Sequence, residues 1–237
     1  GAVKPYNTFA SIITSSLTVG FGGSVGLEGP SVSTGSAIGS NIGQLLRLNQ
    51  KNTVVLIGMG CAAALASIFQ APTTGIIFAI EVFMIDISMA SLIPIIVSSF
   101  VAILTSYYFL GRAFEYTITT STAFMPSNSL FYVGLGLFVG LMSAYFMYVY
   151  FKVGKKAKQI KSPWLRFLFG ATGLGILIFI FPALYGEGYE AINAALNGDT
   201  SILFENELFS PFQNNIWVIL AGILIIILLK AFATSFT

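Results

Sequence analysis

The sequence predicts an all-α, polytopic membrane fold built from broken and tilted helices. Three observations predict it. The 237 residues are 56% hydrophobic and only 8% charged, where a soluble domain carries about a quarter charged residues. Apolar runs of uneven length recur along the chain. Gly and Pro interrupt them repeatedly, as where half-helices meet near a membrane midplane. With no His and one cysteine, Cys61, neither a disulfide within the chain nor a Cys/His metal site is expected. The net charge of +2 is small, and no nucleic-acid partner is expected.

Residues 6–21 are apolar with interspersed Ser and Thr and read as a first membrane helix; such hydroxyls bond to their own helix backbone. Gly20, Gly22, Gly23 and Gly26 break it ahead of Glu28. The stretch Gly26-Leu27-Glu28-Gly29-Pro30 holds a carboxylate between glycines, and Pro fits a helix's first turn. Residues 31–46 read as that helix, with its positive end pointing back at the turn, where anions are drawn. Gly35, Gly39 and Gly43 share one of its faces and read as a close-packing strip rather than a ligand site. Arg47 and Lys51 bracket a polar break.

Residues 52–69 form the next helix, with Cys61 a small buried apolar residue. Gln70-Ala71-Pro72 ends it. Thr73 or Thr74 is the expected cap of a short helix over 75–84, too short to span. It carries Glu81 and Val82, with Asp86 beyond. Residues 89–110 are long enough to cross. Residues 111–128, with Arg112 and Glu115, read as a loop. Residues 130–151 cross again. The only charge cluster follows: Lys152, Lys155, Lys156, Lys158, Lys161 and Arg166. It reads as a cytoplasmic loop, or as the end of a surface helix with the same sidedness. Residues 167–184 return outward. Glu187, Glu190, Asp199, Glu205 and Glu207 mark an external loop with a short helix over 189–196. Residues 216–229 come back in, leaving Lys230 near the inner end. The same anchor places Glu81 and Asp86 near the inner face.

Gly26-Leu27-Glu28-Gly29-Pro30 resembles the G-x-E-G-P signature of the CLC chloride channel and proton/chloride exchanger family. Residues 60–81, from Cys61-Ala62-Ala63-Ala64 through Phe69-Gln70-Ala71-Pro72 to Ile80-Glu81, are similar to the family's next two helices. Two motifs in the right order on compatible helices are far more specific than one. The basic inner loop, the Tyr185-Gly186-Glu187-Gly188-Tyr189 turn and the last helix fit more loosely.

The resemblance implies a multi-pass protein of a bacterial inner or plasma membrane. It implies a homodimer with an anion pathway in each subunit, and two antiparallel repeats. Residues 1–110 would be the latter part of the first repeat and 129–237 the beginning of the second. The family's G-S-G-x-P loop would then precede Gly1. Its G-x-F-x-P loop and pore tyrosine would follow Thr237. Both chain ends read as cut, so a piece of a longer protein is expected, and no signal peptide is read at the start. No cofactor is implied beyond chloride as ligand.

Carried over, Glu28 is the gate: ionised, its carboxylate fills an anion site; protonated, it swings out. The backbone N–H groups of Gly26, Leu27, Glu28 and Gly29 would line that site. Elementary physics points the same way, since an intramembrane carboxylate is costly and backbone amides bind an anion without trapping it. The bland reading of Glu28 is a helix cap facing water. Two departures matter. Leu27 stands where the family often has Arg or Lys, so modest anion throughput is expected. Val82 stands where well-coupled exchangers have a second, proton-relaying glutamate, and channel members also carry Val there. Some exchangers lack that glutamate, so the presence of Glu28 makes proton/chloride exchange the leading mode, with a passive voltage- or pH-gated chloride channel as the alternative. Glu81 is a possible inner relay or a structural residue. A membrane-embedded enzyme using Glu28 as acid or base lacks the His, metal or second carboxylate such chemistry needs, so no enzyme is expected. Chloride, fluoride and nitrate are not separated.

Overall fold

The computed structural model describes residues 3–111, 125–198 and 216–237. Arg112, Glu115, Asp199, Glu205 and Glu207, read above as loop residues, lie outside them. The described residues are helical throughout, joined by turns and two short 3-10 segments. The chain divides into two compact units. One comprises Gly1–Thr18 and Gly26–Glu115, the other Val19–Val25 and Tyr116–Thr237.

Most of the first helix, α1 (Asn7–Gly20), belongs to the first unit. At 14 residues it is shorter than the roughly 20 that a crossing needs, so it is one of the broken helices rather than a full span. In the same unit follow α2 (Glu28–Leu45), α3 (Gln50–Phe69), α4 (Pro72–Phe83) and α5 (Met89–Leu110). α3 is the centre, and α2, α4 and α5 all pack on it. The reason is side-chain size. A Cβ on Gly35 would strike the Gly60 carbonyl, and one on Gly60 would strike that of Gly35. Gly39 meets the Leu56 carbonyl, Gly43 the Thr53 side chain, and Gly75 of α4 the Ala62 carbonyl. In lipid, helices gain little from hiding apolar surface, so close backbone approach supplies the attraction. The glycine strip of α2 is therefore the packing face that its spacing indicated. Cys61, Ala62, Ala79, Ile85 and Ile95 form the buried core. Ser98 Oγ donates to the Met59 carbonyl at 3.3 Å, and Gln70 Nε2 donates to Ser106 Oγ at 3.1 Å. These two bonds tie α5 to α3.

Helix starts differ from the sequence expectation for local reasons. α3 begins at Gln50 because Asn49 caps it, its side chain accepting from the Asn52 N–H at 2.9 Å. α4 begins at Pro72, with Ala71 at the N-cap. Thr73 and Thr74 thus lie inside the helix and do not cap it. Proline's fixed φ is already helical, so it starts the turn itself.

The second unit contains α6 (Ser129–Gln159), α7 (Pro163–Ile180), α8 (Tyr189–Leu196) and α9 (Ile216–Phe236). α6 has 31 residues. It runs on through Lys152, Lys155, Lys156 and Lys158, so these sit on the end of a helix rather than in a loop. Lysine is a good helix former, and loss of hydropathy alone does not stop a helix. The break comes at Ser162-Pro163, where Ser162 caps α7. Val149, Val153 and Ala231 form the core of this unit, wrapped by Tyr145, Phe146, Phe232 and Phe236. The Phe236 ring lies 3.1 Å from the place of a Cβ on Gly173 and stands edge-on to Phe169 at 5.5 Å.

Two expectations do not stand together here: an external turn over 185–189 and Lys230 at the inner end of the last helix. Lys230 lies well inside α9, partly buried, and its Nζ donates to the carbonyls of Gly186 and Glu187 at 3.1 and 3.4 Å. An external turn and an inner helix end cannot touch, so the turn and Lys230 share one level. α9 continues past Lys230 to Phe236 because that ammonium finds acceptors within the protein and need not reach water.

α3, α5, α6 with the 3-10 turn before it, α7 and α9 are each long and apolar enough to cross a membrane. Their outward faces carry exposed large apolar residues such as Leu104, Leu137 and Trp217. The protein is an all-α, multi-pass integral membrane protein.

Candidate anion site

The Gly26–Pro30 motif forms the start of α2. Leu27 is the N-cap, with φ −89° and ψ 0°, and Glu28 is the first helical residue. The helix thus starts three residues ahead of the position read from the sequence. Glu28 and Gly29 belong to its first turn, where an acidic residue complements the helix dipole. The first bond of the new helix runs from the Ser31 N–H to the Leu27 carbonyl at 3.0 Å, and Ser31 Oγ donates to the same oxygen at 2.8 Å. The amides of Glu28 and Gly29 precede that bond. Pro30, one residue on, has no N–H to satisfy.

The Glu28 side chain is half-buried and folds back over Gly26. A Cβ on Gly26 would overlap its carboxylate, lying 2.7 Å from Cδ and 3.0 Å from Oε1. A side chain at Gly26 would displace the carboxylate from this place. Gly29 differs: a Cβ there would meet nothing within 4 Å among the described residues, so the far side of the motif faces open space. The carboxylate is turned back towards the start of α2, and helix starts in general attract negative charge. Leu27 is half-buried and brings no positive charge to this turn.

Glu81 lies near the end of α4, exposed, and Val82 beside it is 50% exposed. The structure brings Gly26, Leu27, Glu28 and Gly29 together at one helix start, while Glu81 stands on another helix of the same unit.

Sequence reasoning passed over Ser24, just ahead of the motif. It is fully buried, and every polar function it has is paired. Its N–H donates to Thr237 Oγ1 at 3.0 Å and its carbonyl accepts from Thr234 Oγ1 at 2.8 Å. Its hydroxyl donates to the Leu184 carbonyl at 2.6 Å and accepts from Lys230 Nζ at 2.8 Å. The only local signal was a polar residue in a glycine run. Its partners lie more than 150 residues away, beyond the reach of any local pattern.

The family model described as voltage gated chloride channel matches residues 1–237. A putative chloride channel protein, ClcB-like, of Ralstonia nicotianae is 27% identical over 202 residues, covering 83% of this chain and 47% of the relative. A voltage-gated ClC-type chloride channel ClcB of Citrobacter koseri is 27% identical over 226 residues, covering 94% and 50%. The chain spans about half the length of these curated relatives. Among solved structures, a CLC-type fluoride/proton antiporter superposes with a TM-score of 0.70 at 25% identity, over 93% of this chain and 54% of the other. A slow cyanobacterial Cl−/H+ antiporter shares the fold, with a TM-score of 0.73 at 22% identity over 97% and 52%. The glutamate-bearing helix start, the glycine-packed helices behind it and a family match over the whole chain lead to one conclusion: the chain belongs to the voltage gated chloride channel family.

Proposed function

We propose that the whole protein, of which this chain supplies a part, moves chloride or a similar anion across a membrane in exchange for protons, with Glu28 as the gate. The observation that carries this reading is the Glu28 carboxylate folded over Gly26 at the start of α2. Ionised, it competes with an anion for the same positive helix end. Protonated, it loses that attraction and yields the place. The amides of Gly26, Leu27, Glu28 and Gly29 are the anion ligands in this reading. The working assembly is a homodimer, with residues 1–110 and 129–237 in successive repeats of each subunit.

A passive channel is the second reading. It is favoured by Val82, which offers no carboxylate next to Glu81 to hand protons inward. The test is transport by the purified full-length protein in liposomes. In an exchanger, the voltage of zero net flux shifts with the pH gradient; in a channel it follows the anion gradient alone. Glu28→Gln should abolish proton movement and leave anion movement. If Glu28→Gln behaves as wild type in both, Glu28 is not the gate.

A further inference from the structure

Lys230 is a charged residue within a membrane-crossing helix, a costly placement that calls for a role. Its ammonium has three N–H donors. Three acceptors meet it: Ser24 Oγ at 2.8 Å, the Gly186 carbonyl at 3.1 Å and the Glu187 carbonyl at 3.4 Å. The turn is built to give two successive carbonyls to one cation. Gly186 and Gly188 both have positive φ, at 61° and 92°, which glycine adopts without steric cost. With its donors matched by protein acceptors, the ammonium is not left to bind a passing anion. It joins three pieces of chain instead: α9, the turn before α8, and the segment 19–25.

That segment is held elsewhere as well. The Tyr185 hydroxyl donates to the Gly20 carbonyl at 3.2 Å, and its ring lies 3.0 Å from the place of a Cβ on Gly22. Ser24 is fixed at its amide, its carbonyl and both sides of its hydroxyl. Only Val25 then separates it from Gly26. The chain entering the Gly26–Gly29 turn therefore starts from a fully fixed residue.

We infer that Lys230 is a positioning residue for the anion site: acting through Ser24, it fixes where the chain enters the Gly26–Gly29 turn and so how well the amides of that turn bind chloride. The inference rests on the reading that these amides bind the anion. It does not depend on Glu28 being the gate, nor on exchange rather than conduction.

The test uses the full-length protein in detergent with three variants. Lys230→Met keeps the length and the apolar stem. Ser24→Ala removes one hydroxyl and leaves Lys230 two carbonyls, so it serves should Lys230→Met fail to fold. Lys158→Met removes a charge at the exposed end of α6 as a control. Hydrogen exchange followed by mass spectrometry reads the peptide covering residues 19–27, and calorimetry reads chloride binding. Lys230→Met and Ser24→Ala should speed exchange in that peptide about tenfold, the change expected when a charge-assisted hydrogen bond is lost. Both should weaken chloride binding at least about threefold, since ligand amides must stay closely placed. Lys158→Met should do neither. A packing role alone predicts that Lys230→Met exchanges like wild type, and that result overturns the inference. So does faster exchange with chloride binding unchanged. Should Glu28→Gln keep its proton movement while Lys230→Met weakens chloride binding, the gate is refuted and the positioning role stands.

Discussion

Replacing Gly35 by alanine adds one carbon to the tightest crossing in the first unit. That carbon would lie 2.8 Å from the Gly60 carbonyl carbon and 3.3 Å from the Ala64 Cβ. Carbon atoms prefer about 3.5–4.0 Å, so α2 and α3 must part by about 1 Å, forfeiting a quarter to a half of each contact along the seam. Overpacking of this kind costs about 1–3 kcal/mol. Alanine returns up to about 1 kcal/mol as the better helix former. The net loss worked from these terms is about 0–2 kcal/mol, which leaves Gly35→Ala about 1–3 kcal/mol below a glycine-to-alanine change that meets no clash. Gly154→Ala in α6 is the matched control. A Cβ there meets nothing within 4 Å among the described residues, so only the propensity gain of up to about 1 kcal/mol remains. Gly35→Ala and Gly60→Ala together should cost less than their sum, because one separation of the helices relieves both clashes. The assay is unfolding of the full-length protein in dodecyl maltoside micelles titrated with sodium dodecyl sulfate and followed by circular dichroism. If Gly35→Ala is as stable as Gly154→Ala, close backbone packing does not hold this unit together.

Two smaller predictions use the same titration. Asn49→Ala removes the cap of α3 and should cost about 1 kcal/mol, whereas Asn49→Asp, which keeps the acceptor, should cost little. Lys51 and Asp86 form an ion pair at 3.3 Å, with side chains 70% and 76% exposed. Asp86→Asn should therefore change stability by less than about 0.5 kcal/mol, and added salt should erase even that.

The sequence disclosed most where structure is set locally. The bounds of α5 and α8 follow from residues inside and beside them, and both were read correctly. The four-residue glycine spacing in α2 revealed a packing face because a helix repeats on that scale. The same local logic failed where hydropathy and helicity part company. α6 keeps its backbone bonds through a lysine-rich tail that no longer belongs in lipid, so the apolar run ended before the helix did. The reading of α9 stopped short at Lys230 for the same reason. Glu28 and its glycines were legible as a motif, and the structure adds that the carboxylate rests in the space left by Gly26. Ser24 and Lys230 were not legible as a pair. A hydrogen bond spanning 206 residues leaves no trace in the periodicity of either partner.

The length of α6 has a consequence for what protrudes from the membrane. At 1.5 Å per residue its 31 residues extend about 46 Å, against a hydrocarbon layer of about 30 Å. The residues from Ser129 to Phe151 are long enough to cross that layer with a modest lean, and the apolar run ends at Lys152. The last two turns, about 10 Å long, carry the lysines beyond that run. At their end the chain doubles back into α7, pinned by the Arg166 guanidinium on the Ile160 carbonyl at 3.1 Å. A water-borne protease added to the reconstituted protein should therefore cut at this hairpin bend before it cuts the apolar legs on either side.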